Sequence, residues 1–111
     1  MFEQKEIVLL PFPYSDLTGA KLRPALILSN NKINSTCDRI CCLVTSNKLV
    51  DHSILLKSES FATGKLPFKS WVKPHRLFTI HEKIIRKKLS AINDSFHDKV
   101  VAKVNEYLKR R

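Results

Sequence analysis

The stretch LTGAKLRPALILSNN, residues 17–31, contains the clearest strand signal in the chain. A polar loop with one glycine leads to Lys21 and Arg23, then to Pro24, and then to an unbroken apolar run. Proline is tolerated near the start of a strand, where its missing N–H costs little, and it favours an extended conformation for Arg23. The pattern predicts a strand over residues 22–30 with two cations at its entrance.

This strand is predicted to be buried on both of its faces. Side chains alternate along a strand, so Arg23, Ala25 and Ile27 share one face while Leu26 and Leu28 share the other. Two cations at the end of such a strand are either ordinary solvated charges or an anion site held in place by the strand. The remaining sequence has to distinguish these two interpretations.

Length and charge limit the classes of function. With 111 residues the chain has room for one hydrophobic core, so residues 1–111 are predicted to form a single domain. Twenty Lys and Arg against ten Asp and Glu give a formal charge of +10, which favours polyanionic partners such as nucleic acid or an acidic protein segment.

Targeting and redox signals are weak. No window approaches the roughly 18 apolar residues of a membrane-spanning helix, and the amino-terminal apolar segment is interrupted by Pro11. Cys41 and Cys42 are adjacent, so on a strand they point to opposite faces and are poorly placed to bind one metal. We expect a reduced, cytoplasmic protein without a structural zinc site, in which these cysteines pack in the core.

Short strands separated by turns dominate the pattern. The predicted strands are residues 6–12, 22–30, 39–46, 52–58, 70–74, 76–80 and 86–92. Residues 14–19, which include Asp16, are predicted to form a turn-rich loop, residues 31–36 a polar loop and residues 59–68 a connection. Residues 81–85 are predicted to form one helical turn.

The carboxy-terminal segment is the clearest helix. Asn93 suits the N-cap, Asp94 suits the first turn, and Phe96, Val100 and Val104 recur at helical spacing, continued by Tyr107 or Leu108. The chain is therefore predicted to be mainly β, a small barrel closed by one helix.

The residue types exclude some chemistry and leave some open. The acids are scattered and form no pair typical of Mg²⁺-dependent phosphodiester cleavage, and the two glycines cannot build a Gly-rich phosphate loop. Cations and hydroxyls near predicted strand ends remain: Arg23, Thr45, Ser46, Ser70, Lys73, His75 and Arg76. Such groups can cleave RNA without metal, because the 2′-OH of the substrate is the nucleophile and the protein supplies phosphate contacts and proton transfer.

Three sequence elements, in order, resemble the PemK/MazF family of toxins. They are Lys-x-Arg-Pro at residues 21–24, Thr-Ser at 45–46, and Ser-Trp-Val-Lys-Pro…Phe-Thr-Ile at 70–80. The resemblance extends from about Glu6 to Leu108. It implies a small SH3-like β-barrel with a C-terminal helix, which forms homodimers.

The resemblance also implies an activity and partners. Family members are the toxins of type II toxin–antitoxin pairs and act as metal-independent endoribonucleases. They cut single-stranded RNA at short sequences and leave 2′,3′-cyclic phosphate and 5′-hydroxyl ends. The implied partners are an acidic antitoxin that covers the RNA groove and, for the toxin–antitoxin complex, DNA; no membrane and no cofactor is implied.

The resemblance further implies roles for individual residues. Arg23 matches the active-site arginine of the family, Thr45 its active-site threonine, and Ser46 a serine found beside that threonine in some members. Lys73 and His75 stand where one branch has an arginine and an aspartate with acid and base roles. The expected RNA-contacting residues are Lys21, Ser46, Ser70, Arg76 and Asp16.

The sequence departs from the family pattern at two further positions. Lys5 and Lys88 occupy places where glycine is usual.

Two alternatives remain open at this stage. A member with altered Lys73 and His75 could bind nucleic acid or a partner without cleaving it. A barrel of the same superfamily could instead poison DNA gyrase, as CcdB does, although those proteins lack the Lys-x-Arg-Pro and Thr-Ser elements. In the leading interpretation, Arg23 stands at the strand entrance because the scissile phosphate binds there.

Overall fold

The protein is a β-barrel with a C-terminal helix, as the sequence predicts. The computed structural model describes residues 1–12, 21–47 and 51–111. Its strands form one antiparallel sheet, ordered β4-β6-β3-β2-β1-β7-β5, that coils into a nearly closed barrel. The elements are β1 (Glu6–Phe12), β2 (Lys21–Ile27), α1 (Asn31–Asn34), β3 (Asp38–Thr45), β4 (Ile54–Leu56), β5 (Phe61–Thr63), β6 (Ser70–His81), β7 (Lys87–Ile92) and α2 (Asp94–Leu108).

Strand β3 lies between β2 and β6 and is buried on both faces. Cys42 packs in the cluster that includes Phe96 and Val100 of α2, whereas Cys41 packs in a second cluster formed mainly by β1, β2 and β3. Burial raises the pKa of Cys41 to about 12 and raises that of Cys42 as well. The prediction that these two cysteines are core residues on opposite faces is confirmed, while Cys37 is exposed.

Strand β2 is shorter than predicted and buried over only part of its length. Ala25, Leu26 and Ile27 are fully buried, but residues 21–23 are exposed. Leu26 packs in the same cluster as Cys42, whereas Ala25 and Ile27 pack in the same cluster as Cys41. The strand ends at Ile27 because Ser29 and Asn34 hydrogen-bond to each other across the following turn. The predicted loop 31–36 therefore contains one helical turn, α1.

Strand β6 is one continuous strand and not the two short strands predicted around Pro74. Cys42 pairs with Leu77, but the next residue, Leu43, pairs with Lys73. The intervening residues 74–76 form a bulge in the β3–β6 ladder. Proline cannot donate to a sheet ladder, so a bulge accommodates Pro74 without ending the strand.

Smaller differences lie in the segment between β3 and β6. Strand β4 spans Ile54–Leu56 within the predicted 52–58. The predicted connection 59–68 contains a 3₁₀ turn at Ser58–Ser60 and strand β5, which pairs with β7. These elements are too short to give a periodic pattern. The predicted loop 14–19 lies outside the described residues.

The end of β1 contacts the second half of β6 through two aromatic rings. The rings of Phe12 and Phe78 are in edge contact, with centroids 4.9 Å apart. Phe12 belongs to the second cluster, whose other buried members lie on β1, β2 and β3, together with Ile85. The contact therefore joins strands that are not neighbours in the sheet.

Helix α2 begins and packs as predicted. The Asn93 side chain accepts a hydrogen bond of 2.9 Å from the Phe96 N–H and thereby caps the helix. Phe96 and Val100 are buried against the sheet. Of the two predicted continuations of the stripe, Tyr107 is half-buried and Leu108 is 70% exposed, so Tyr107 continues the packed face.

Lys5, one of the two departures from the family pattern, has a left-handed backbone conformation with φ of 77°. Glycine adopts this conformation at no steric cost, which accounts for the glycine usual at this position. The Lys5 ammonium pairs with Asp94 in the first turn of α2, and this hydrogen bond lowers the pKa of the Asp94 carboxyl. Lys88, the second departure, pairs with Val8 beside a β1–β7 register shift.

A buried arginine joins the amino terminus, β3 and the turn after β6. Arg39 is fully buried, and its Nη2 lies 2.7 Å from Glu82 Oε2. Its remaining hydrogen bonds go to the backbone carbonyls of Phe2, Thr36 and Asp38. A buried guanidinium satisfied in this way stabilises the fold chiefly because loss of either side leaves buried groups unpaired.

We expect Arg39→Ala to lower the free energy of unfolding by roughly 3 kcal/mol, because three carbonyls and a carboxylate lose their donor. Urea denaturation followed by circular dichroism measures the change. The matched control is Lys103→Ala, which breaks an exposed pair with Glu106 (3.5 Å) and should cost about 0.5 kcal/mol or less. Equal stability of the two variants would contradict the assigned role of Arg39.

Candidate active site

The register of the sheet brings Arg23 beside Thr45. Ala25 on β2 pairs with Leu43 on β3, and continuing this antiparallel register by two residues places Arg23 opposite Thr45. Thr45 in turn pairs with Trp71 on β6. Side chains that pair across antiparallel strands share one face of the sheet. Extended in this way, the register aligns Arg23, Thr45 and Trp71 across three strands.

Four of the predicted site residues line one cavity of about 400 Å³: Arg23, Thr45, Ser46 and Ser70. Arg23 and Ser46 are exposed and Ser70 is buried. The cavity combines two cations, Arg23 and Lys87, with three hydroxyl groups, which is a composition suited to binding a phosphate. The structure thus brings together residues that lie on three different strands or at their ends.

The hydroxyl of Thr45 takes part in a local hydrogen bond. Its Oγ1 accepts a hydrogen bond of 3.1 Å from the backbone N–H of Asn47. One lone pair is then occupied, and the hydroxyl proton remains available for an acceptor such as a phosphate oxygen. The Ser70 hydroxyl instead donates to the Phe68 carbonyl at 2.8 Å and stabilises the loop at the cavity wall.

Lys73 and His75 do not line this cavity. His75 belongs to the β6 bulge, and its ring contacts the rings of His52 and Tyr107, with centroid separations of 5.8 Å and 6.3 Å. Partial desolvation lowers the pKa of His75, and the neighbouring basic side chains of Lys73, His52 and Arg76 lower it further. The lowered pKa favours the neutral imidazole, which is the form that can accept a proton.

The remaining predicted RNA-contacting residues occupy separate positions. Lys21 is exposed at the first position of β2. Arg76 lines a second groove of about 440 Å³ between the end of β1 and the second half of β6, together with Leu77 and Phe78. Asp16 lies outside the described residues.

The apolar part of the cavity lining was not predicted from the sequence. It includes Leu22, Leu66, Pro67 and Phe68, which together are called the apolar wall below. Lys87 of β7 also lines the cavity. The signal available in the sequence was an aromatic residue within the polar segment TGKLPFKS, which is unusual for a simple connection.

Metal-binding groups are dispersed in the described part of the chain. Within residues 1–12, 21–47 and 51–111, no three His, Cys, Asp or Glu side chains come together in a metal-binding arrangement. The same residues contain no helix long and apolar enough to cross a membrane.

Comparison with known families identifies the chain's relatives. The family model described as PemK-like, MazF-like toxin of type II toxin–antitoxin system matches residues 3–108. The chain belongs to this family. Membership confirms the resemblance drawn from residues 21–24, 45–46 and 70–80, and it makes the chain a toxin of the type II toxin–antitoxin class.

Solved structures with the same fold include toxin–antitoxin complexes. A MazE–MazF complex from Deinococcus radiodurans is 22% identical with a TM-score of 0.77, and the match covers 99% of this chain and 98% of that chain. An endoribonuclease in complex with its cognate antitoxin from mycobacterial species is 17% identical with a TM-score of 0.74, covering 99% and 95%. The Mycobacterium tuberculosis toxin MazF-mt6 is 13% identical with a TM-score of 0.72, covering 96% and 98%. Comparison with curated protein sequences gave no significant match.

The surroundings of His75 predict a measurable shift. We expect NMR titration to give a pKa for His75 below 6.5, and Lys73→Gln to raise it because a neighbouring cation is removed. Lys32→Gln, which removes a lysine from α1, is the matched control and should leave the His75 pKa unchanged. A His75 pKa that does not respond to Lys73→Gln would contradict the assigned environment.

Proposed function

We propose that this PemK/MazF-family toxin is an endoribonuclease that cleaves single-stranded RNA, chiefly mRNA, without a metal ion and so inhibits translation. The observation that carries this proposal is the single cavity in which Arg23 and Thr45 come together. Family membership and the shared fold with endoribonuclease structures support it.

Cleavage begins with the 2′-hydroxyl of the substrate. A base removes its proton, and O2′ attacks the adjacent phosphorus while the bond from phosphorus to O5′ breaks. An acid delivers a proton to O5′, so the products carry a 2′,3′-cyclic phosphate and a 5′-hydroxyl. No external nucleophile is consumed in this step.

Arg23 and Thr45 act on the charge that develops at the phosphate. The guanidinium of Arg23 donates two parallel hydrogen bonds to phosphate oxygens, and the Thr45 hydroxyl donates a third. Arg23 is attached to a strand whose next residues are buried, so its backbone does not have to reorganise during the reaction. Preorganised donors of this kind stabilise the transition state more than the ground state.

Lys73 and His75 are the proposed proton-transfer residues. A neutral imidazole at pH 7 suits the base role, and an ammonium group suits the acid role. The two positions lie on β6 within five residues of Ser70, whose side chain reaches the cavity.

The proposed partners follow from charge and family. Lys21, Ser46, Ser70, Arg76 and Asp16 are proposed to contact RNA, and the formal charge of +10 strengthens its binding at low salt. An acidic antitoxin segment that folds on binding is proposed to cover the same groove. Solved structures of the same fold bound to an antitoxin support the proposed antitoxin partner. We further propose that the protein forms a homodimer in the cytoplasm and that the toxin–antitoxin complex binds DNA.

The direct test is incubation of the purified protein with a long single-stranded RNA in EDTA, followed by mapping of fragment ends. Discrete cuts with 5′-hydroxyl ends are the expected result, and they also give the recognised sequence. Intact RNA in the presence of folded protein would contradict the proposal. It would favour a non-cleaving binder or, if supercoiling is inhibited, a gyrase poison.

We expect Arg23→Ala to reduce the cleavage rate by about 100- to 1,000-fold, the usual loss when one oxyanion-stabilising donor is removed. The residue is exposed, so the melting temperature should stay close to that of the wild type. The matched control is Arg110→Ala, which removes an exposed arginine beyond the end of α2. Cleavage at the wild-type rate by folded Arg23→Ala protein would remove the central element of the mechanism.

The pH profile tests His75. A base must be unprotonated, so the cleavage rate should fall as the pH decreases through the pKa of His75, which lies below 6.5. His75→Gln should lose this acidic limb of the profile together with most of the rate. A profile that is the same in both proteins would exclude His75 as the base.

A further inference from the structure

The cavity that contains Arg23 and Thr45 is lined by both polar and apolar side chains. The apolar wall, formed by Leu22, Leu66, Pro67 and Phe68, lines the same space as the cations and hydroxyl groups. Phe68 is 73% exposed and Leu22 is 50% exposed, although both are large apolar side chains. An exposed aromatic ring at the edge of a phosphate-binding cavity requires a reason beyond phosphate binding.

A nucleotide contains both a charged group and an apolar surface, as the lining of this cavity does. Its phosphate needs cations and hydrogen-bond donors, whereas its base presents a flat π-face that packs on aromatic and aliphatic side chains. A phosphate alone would gain nothing from the apolar wall. The combination therefore fits a nucleotide unit better than it fits an isolated anion.

The backbone at Phe68 is held in position by its neighbours. The carbonyl of Phe68 accepts a hydrogen bond from the Ser70 hydroxyl. The ring of Pro67, the residue before Phe68, fixes its own backbone φ angle. On the next residue, the Lys69 ammonium lies 6.0 Å from the centroid of the Trp71 ring. A ring on such a restrained segment loses little conformational freedom when a base stacks on it.

We propose that Phe68 stacks on the base of a nucleotide adjacent to the scissile phosphate, and that the apolar wall contributes to selection of that base. This inference rests on the proposed function, because Arg23 and Thr45 define which phosphate is meant. Stacking supplies affinity for any base. The shape of the wall formed with Leu22, Leu66 and Pro67 limits which base fits.

The test is a binding cycle with a non-cleavable substrate. The probe is an RNA oligonucleotide that carries the mapped cut site, with a 2′-deoxy nucleotide on the 5′ side of the scissile phosphate. A second set of probes lacks the base at one flanking nucleotide at a time. Dissociation constants are measured by fluorescence anisotropy for the wild type and for Phe68→Ala.

Phe68→Ala should bind the complete probe about tenfold more weakly, in the range found when a base-stacking aromatic is removed. Loss of one particular flanking base should weaken binding to the wild type by a similar factor. That same loss should have little further effect on Phe68→Ala, because the two changes remove one contact. Such non-additivity is not expected from a residue that only maintains the loop.

Three variants separate stacking from other effects. Phe68→Tyr keeps the ring and should bind as the wild type does, whereas Phe68→Leu keeps only apolar surface and should bind more weakly. Leu108→Ala removes a similarly exposed apolar side chain at the end of α2 and should leave binding unchanged. Melting temperatures establish that all three proteins are folded.

Failure of this inference differs from failure of the proposed function. Two results would exclude stacking when the wild type cuts RNA. In the first, Phe68→Ala binds the complete probe as tightly as the wild type does. In the second, each missing base weakens binding to Phe68→Ala by the same factor as it weakens binding to the wild type. The wall would then be free to take an apolar segment of an antitoxin. If the wild type leaves RNA intact, the proposed function fails. Binding of the uncut RNA then tests the role of Phe68. Weaker binding by Phe68→Ala than by the wild type supports stacking, and equal binding excludes it.

Discussion

The pairing of β3 with β2 and β6 is the constraint on which the rest of the structure depends. Because β3 is buried on both faces, a shift of its register by one residue would exchange the side chains of the two hydrophobic clusters. Cys41 and Cys42 mark these two environments. The same register aligns Arg23 with Thr45, so the packing of the core also positions the candidate active site.

Strand β6 connects several parts of the sheet. Its first half pairs with β4 and the end of β3, and its second half continues along β3 and contacts β1 through Phe78. The bulge at residues 74–76 separates these two halves. It also places His75 outside the ladder, where its ring contacts the rings of His52 and Tyr107.

The two arginines on β2 and β3 show how placement decides the role of a charge. Arg39 is fully buried, and its guanidinium donates hydrogen bonds to backbone carbonyl groups and to Glu82, so its contribution is structural. Arg23 lies at the exposed beginning of β2, with its charge facing a cavity. A guanidinium can stabilise a reacting phosphate only when the fold does not already satisfy it.

The sequence by itself determined the first strand, the capped helix α2, and the assignment of Cys41 and Cys42 to opposite faces, because these follow from local periodicity and capping chemistry. Motif order named Arg23 and Thr45 as candidates. Only the tertiary structure decided that these two residues line one cavity, that β6 is continuous, that His75 contacts Tyr107, and that Phe68 borders the cavity. These features depend on residues distant in sequence, such as Cys42 and Leu43, which pair with Leu77 and Lys73 on the two sides of the bulge. Alternation along one strand carries no information about which strand pairs with it, so such contacts arise only when the sheet closes.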